Sequence, residues 1–168
     1  MEFRLANESD KDKIWEILQQ AIAQRKADGS NQWQDGYPNT ETVANDIKNK
    51  YGYVLTENGI VIAYAAAIFD VEPAYNDLEG KWLTNGDYLV IHRIATHKSV
   101  KGRGLGTKIL EMLEDIAVSK KIYSIKVDTN FDNKAMLHIL DKLKYVYCGE
   151  VKYDGSPRLA FEKVLHSK

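Results

Sequence analysis

Apolar and polar residues alternate with a period of two over residues 1–5, which predicts a first strand. The period then lengthens. Ile14, Ile17, Leu18, Ala21 and Ile22 recur at helical spacing behind Ser9, a candidate N-cap, until Asp28-Gly29-Ser30 breaks the pattern. Residues 31–39 are polar but include Trp33 and Tyr37, an unusual pair for a plain linker. A short helix is expected over 40–50, capped by Thr40. Two apolar runs, 51–56 and 60–69, flank Glu57-Asn58-Gly59, and Asn-Gly between such runs is a strong hairpin signal. Residues 71–85 carry no clear period; Pro73 and Gly80 predict a long loop with room for one helical turn.

The second half alternates strands and helices. A strand over 88–95 leads into a glycine loop and then a helix with Leu105, Ile109, Met112, Leu113 and Ile116 on one face. A strand follows at 122–127, then a helix over 133–143 with Met136, Ile139, Leu140 and Leu143 inward. Two strands, 145–153 and 158–164, close the chain around a turn at Asp154-Gly155-Ser156-Pro157. The order predicts a mixed α/β (α+β) sheet with antiparallel early strands and one crossover unit. No internal repeat or low-complexity stretch interrupts it.

The glycine loop carries the clearest chemistry. It reads Val100-Lys101-Gly102-Arg103-Gly104-Leu105-Gly106-Thr107. Alternating glycines remove Cβ atoms that would hold a ligand away from the backbone, and they permit positive φ. The helix starting there turns its unpaired N–H groups and positive dipole end into the loop. Lys101 and Arg103 add full charges, so the segment suits a phosphate-bearing ligand.

Composition narrows the setting. The 168 residues, 44% apolar and 28% charged, fit one soluble globular domain spanning 1–168. A net charge of −1 argues against a nucleic-acid partner, even with Lys98, Lys120 and Lys121 near the loop in sequence. The lone Cys148 fits a reducing compartment and reads as a strand-core thiol. The first ten residues do not resemble a signal peptide, and the longest apolar run is too short to span a membrane. A cytoplasmic protein with no membrane partner is expected.

The loop and the segment after it resemble the GNAT superfamily of acetyl-CoA-dependent N-acetyltransferases, over nearly the whole chain. The family's loop pattern is Gln or Arg, two residues, Gly, one residue, then Gly or Ala; here Lys101 takes the first position and keeps its charge. The family often continues with Asn, a helix bearing Tyr seven residues on, then Gly-Phe. Asn133 to Tyr145 follows that register, with Leu140 in place of the tyrosine and Lys144 in place of the glycine. The resemblance implies a mostly antiparallel central sheet, splayed in the middle and flanked by helices. It implies acetyl-CoA as acyl donor, no metal, and a homodimer as one option.

Residue roles follow from the same resemblance. Backbone of Ile94, Ala95 and Thr96 would pair with the pantetheine arm, and Asn133 would support it from the other side. Backbone N–H groups of Lys101, Gly102, Arg103, Gly104, Leu105, Gly106 and Thr107 would hold the pyrophosphate. With Leu140 unable to protonate the departing thiolate, Tyr145 and Tyr147 are alternative acids, and a thiol with a pKa of about 8.5 leaves tolerably without one. An alkylamine acceptor, with a pKa near ~10.4, must lose a proton to attack.

His92 is the preferred base, since imidazole titrates near neutrality and the residue lies just upstream of Ile94; packing at the sheet surface is the alternative. Arg93 is read as structural or substrate-orienting. His97, His138 and His166 read as loop, helix-surface and terminal residues, and no pair has metal-ligand spacing. Trp33 and Tyr37, beside Asp35, suit a cationic amine acceptor, while Trp33 could instead plug a helix hairpin. Trp15 and Trp82 carry no functional argument. The expected activity is acetyl transfer to a primary amine: a small molecule, a peptide N-terminus or a lysine. An acyl-CoA-binding module without turnover is the alternative, motivated by Leu140. A dinucleotide-binding domain fails on glycine spacing, and a phosphate-binding P-loop on the absent Gly-Lys-Ser/Thr.

Overall fold

The first strand is short because Asn7 turns the chain into a helix. In the computed structural model, which describes residues 1–153 and 155–167, β1 covers Glu2–Leu5. The Asn7 side chain accepts from the Ser9 N–H at 3.0 Å, and the Asp10 carboxylate accepts from the Asn7 N–H at 2.8 Å. That reciprocal box caps a single 3-10 turn, Glu8–Asp10, ahead of α1, Lys11–Ala27. The cap is therefore Asn7, not Ser9. Arg4 reaches Asp10 with two bonds of 2.7 and 3.0 Å and ties the strand to the helix start.

α2, Thr40–Lys48, is capped by Asn39, whose side chain accepts from the Thr42 N–H at 3.0 Å. Thr40, expected as the cap, is the first helical residue. β2, Gly52–Glu57, and β3, Ile60–Ile68, form the expected hairpin, with Asn58 and Gly59 both left-handed at φ 52° and 78°.

The segment without a period contains more order than one helical turn. A 3-10 turn, Pro73–Asp77, leads to a two-residue strand β4, Glu79–Gly80. A turn and a bridge this short leave no repeating signal. β5 is Leu89–Thr96, α3 Leu105–Ser119, β6 Ser124–Thr129, α4 Lys134–Lys142, β7 Val146–Tyr153 and β8 Ser156–Val164. Of the expected 154–157 turn, Asp154 lies outside the described residues, and Ser156 and Pro157 already belong to β8.

The fold is mixed α/β, one mixed sheet of eight strands flanked by helices. Contacts divide the chain into two units: Met1–Ala67 with Arg93–Ile109, and Ile68–His92 with Leu110–Lys168. In the first, β1 and β2, and β2 and β3, pair antiparallel. Ile14, Ile17 and Leu18 of α1 and Val43 and Ile47 of α2 pack on Val54, Val61, Tyr64 and Ala95. Burying each such aliphatic side chain contributes about 1.5–3 kcal/mol.

In the second unit β5 runs parallel to β6 over residues 89–91, opposite 125–127. β6 and β7 both pair antiparallel with β8, and β4 pairs with β7. Tyr75, Val90, Val151 and Ala160 form one buried cluster in it, with Trp82, Tyr88 and Tyr153 against them. Along α3 the fully buried residues are Leu105, Ile109, Leu110, Leu113 and Ala117, while Met112 and Ile116 are half-buried. The inward arc is thus rotated towards Leu110 and Ala117 from the expected one.

Candidate functional site

The glycine loop is built by capping. The His97 side chain accepts from the Ser99 N–H at 3.1 Å and starts a 3-10 turn, Lys98–Val100. Gly102 and Gly104 then take left-handed φ values of 82° and 72°, which a residue with a Cβ adopts only at a cost. α3 begins at the next residue, Leu105, so Gly106 and Thr107 lie in its first turn and are not left-handed. Their N–H groups have no acceptor within the helix. A Cβ at Gly102 or Gly104 would meet nothing within 4 Å, so the bare backbone faces open space that an anion can approach. Glycine-permitted curvature, helix N–H groups and adjacent cations together fit the pyrophosphate of an acyl-CoA.

The loop cations have protein partners. Arg103 forms a fork with Glu57 at 3.0 and 2.7 Å, and that guanidinium holds the Glu57 carboxyl below its ordinary range. Lys101 Nζ donates to Gln24 Oε1 at 2.8 Å. Gln20 accepts from the Lys98 N–H at 2.9 Å and contacts His97 Nε2 at 3.1 Å. One polar side of α1 therefore seats the base of the loop, a role that spacing alone did not assign to Gln20 and Gln24.

Upstream of the loop, Ile94, Ala95 and Thr96 form the second half of β5, and Ala95 is buried in the first unit's core. Arg93, the residue before them, is left-handed at φ 55°. A non-glycine residue there costs on the order of 1–3 kcal/mol and persists only where its surroundings fix it. The fixing group is Asp46 on α2, which accepts from Arg93 Nε at 3.0 Å and Nη2 at 2.6 Å. The Tyr64 hydroxyl also donates to Asp46, at 2.5 Å. Burial, reinforced by Asp46, pushes the Tyr64 phenol far above its ordinary range. Arg93 Nη1 donates to the Tyr37 hydroxyl, and the guanidinium lies 5.9 Å from that ring's centroid.

Tyr37 is thus half-exposed yet tethered, in the loop between α1 and α2. Arg25 shapes the start of that loop, donating to Gln32 Oε1 and Ser30 Oγ at 2.9 Å each. Trp33 is half-buried and left-handed at φ 62°. The first unit therefore contains Trp33, Tyr37, Ile94, Ala95, Thr96 and the whole glycine loop.

The second unit contains His92 and Asn133. His92 Nε2 lies 3.6 Å from Glu72 Oε2, and both side chains are largely buried. Glu72, from the segment without periodicity, was invisible as a partner in the sequence. Tyr75 and Tyr153 both donate to Asp128 Oδ2, at 2.7 and 3.0 Å, and burial holds the Tyr75 phenol well above its ordinary range. Asn133 caps α4, accepting from the Met136 N–H at 3.2 Å.

Leu140 is fully buried. Tyr145 is buried as well, its hydroxyl 3.4 Å from Glu114 Oε2, and burial pushes its phenol well above the ordinary range. Tyr147 is exposed and packs edge-on against Phe161. Cys148 is a buried, free thiol, raised by burial. Among the described residues, no group of three His, Cys, Asp or Glu could hold a metal ion, and no helix is long and apolar enough to cross a membrane.

Comparison with known proteins agrees with this architecture. The profile of the Acetyltransferase (GNAT) family matches residues 14–145. A GNAT-family acetyltransferase from Streptococcus agalactiae is 40% identical, with a TM-score of 0.91 over 99% of this chain and 96% of its own. A GNAT-family acetyltransferase from Listeria monocytogenes is 19% identical, with a TM-score of 0.78 over 98% of this chain and 94% of its own. The yncA protein of Salmonella typhimurium, solved with its cofactor acetyl-CoA, is 19% identical, with a TM-score of 0.70 over 100% of this chain and 95% of its own. A comparison with curated proteins gives no match. Acyl transfer is the general activity that goes with this fold and loop, and the chain belongs to the acetyltransferase (GNAT) family.

Proposed function

We propose that this protein moves an acetyl group from acetyl-CoA to a primary amine, which is a small molecule, a peptide N-terminus or a lysine side chain. The observation that carries the reading is the left-handed Gly102 and Gly104 opening directly onto the start of α3. Such a loop supplies fixed N–H donors to a pyrophosphate without a side chain in the way. Backbone of Ile94, Ala95 and Thr96 would carry the pantetheine arm, with Asn133 as a further support. Lys101 and Arg103 would exchange Gln24 and Glu57 for phosphate oxygens.

The thioester supplies an activated acyl carbon. The amine nitrogen forms a bond to that carbon, the carbon–sulfur bond breaks, and the sulfur leaves with the electron pair as thiolate. A backbone N–H of β5 suits the oxyanion that develops. His92 takes the proton from the amine, directly or through water, with Glu72 Oε2 3.6 Å from its Nε2. The buried Leu140 leaves the thiolate without a phenol from α4, and a thiol is acidic enough to leave near neutrality. Trp33 and Tyr37 would form the acceptor wall, their rings suited to an ammonium group. A cytoplasmic setting accompanies this reading, supported by the free thiol of Cys148.

Release of free thiol from acetyl-CoA, measured across a panel of amines, amino acids and peptides, tests the proposal. Amine-dependent release supports it. The buried Leu140 favours a second reading, an acyl-CoA-binding module without turnover. Turnover with any amine rejects that second reading; binding without turnover across the panel establishes it.

A further inference from the structure

We infer that Arg93 is a positioning residue that couples the loop carrying Tyr37 to the β5 segment assigned to the acyl donor, so that donor binding orders the acceptor side. The inference rests on the acetyltransferase reading above and adds a link that neither the fold nor the glycine loop requires.

Three observations carry it. First, Arg93 directly precedes Ile94, and its left-handed backbone sets the direction in which Ile94, Ala95 and Thr96 continue. Second, its guanidinium is held on every edge. Nε and Nη2 are taken by Asp46, which is itself held by the buried Tyr64 hydroxyl, and Nη1 goes to Tyr37. The Arg93 and Asp46 side chains are only 9% and 4% exposed, so little solvent is available to replace either partner. Third, Tyr37 is 44% exposed, and its side chain meets Arg93 in two ways, through the hydroxyl bond and the cation–π approach.

A planar guanidinium fork has fixed geometry, so its position cannot change at one edge without changing at the others. A ligand strand laid along Ile94, Ala95 and Thr96 restrains the Arg93 backbone. Through the fork it restrains Tyr37, and with it the 28–39 loop. Lysine offers no such fork, so Arg93→Lys breaks the link while keeping the charge.

Hydrogen exchange with and without saturating acetyl-CoA tests this in the wild type, Tyr37→Phe and Arg93→Lys, with saturation verified by calorimetry for each. The wild type is expected to show amide exchange in 28–39 slowed by roughly fivefold or more on acetyl-CoA binding. Both variants are expected to bind acetyl-CoA with that loop response lost. Tyr37→Phe removes one hydroxyl at a half-exposed site, so it tests the link even if Arg93→Lys fails to fold. With a working amine, Arg93→Lys should raise the amine KM with little change in kcat, a split that a merely structural role would not produce. Wild-type binding without a loop response, or a response that persists in Tyr37→Phe, overturns the coupling alone. No acetyl-CoA binding by the wild type overturns the proposed function and this inference together.

Discussion

Arg93 grips Asp46 through Nε and Nη2, at 3.0 and 2.6 Å, while its own backbone is left-handed at φ 55°. A strained residue and a buried ion pair occupy the same position, immediately before the strand segment assigned to the acyl donor. Breaking a buried pair by removing one partner leaves the other charge uncompensated. Arg93→Ala should therefore lower the unfolding free energy by about 3–5 kcal/mol in a urea titration. A loss below about 1 kcal/mol would mean that the pair does not hold the left-handed backbone.

Gly104 separates binding from stability. At φ 72°, with open space around a built Cβ, Gly104→Asp incurs a backbone cost of about 1–2 kcal/mol without a steric clash. Its carboxylate would face the pyrophosphate, and acetyl-CoA affinity should fall by more than about tenfold, equivalent to about 1.4 kcal/mol. Calorimetry and a thermal melt on the same sample separate the two effects. Undiminished affinity would remove the loop from the donor site.

His92 and Glu72 predict a kinetic signature. His92→Ala should leave acetyl-CoA binding intact and lower kcat by about a hundredfold, with a changed pH profile. Glu72→Gln should change the same profile with a smaller loss in kcat. Wild-type kinetics across pH in His92→Ala would show that the base is another group.

Asp10 makes stability depend on pH at the acid end. The Arg4 hydrogen bonds hold its carboxyl below the ordinary range, outweighing burial, with the Asn7 N–H adding to the effect. A depressed carboxylate stabilises the fold above the unfolded pKa of ~3.9, and the contribution is lost as pH falls through the lower folded value. Asp10→Asn should cost about 1–2 kcal/mol at pH 7, and its melting temperature should converge on the wild type's towards the acid end. A constant difference down to the acid end would assign the effect to packing instead.

Periodicity carried most of the fold because these elements are long or sharply bounded. The 60–69 run, the Asn58-Gly59 hairpin and the helix after the glycine loop were all legible. Local chemistry decided what was missed. Asn7 and Asn39 displace Ser9 and Thr40 as caps because both sit one residue outside a turn and face an acceptor or donor at N3. β4 is two residues long, below any period. Asp46 and Glu72 escaped for a different reason: each gains its meaning from a residue far along the chain, Arg93 at 47 positions and His92 at 20. The glycine loop was legible because its chemistry is local. Tyr37, proposed for the acceptor wall, acquires its tether to Arg93 only when the chain folds.

The most direct test of the account is calorimetric titration of the purified protein with acetyl-CoA, with ATP and NAD as controls. The account predicts saturable binding of acetyl-CoA that is selective over both controls and is abolished or strongly weakened in Gly104→Asp. Failure of acetyl-CoA to bind, or equal binding of ATP and NAD, would contradict it.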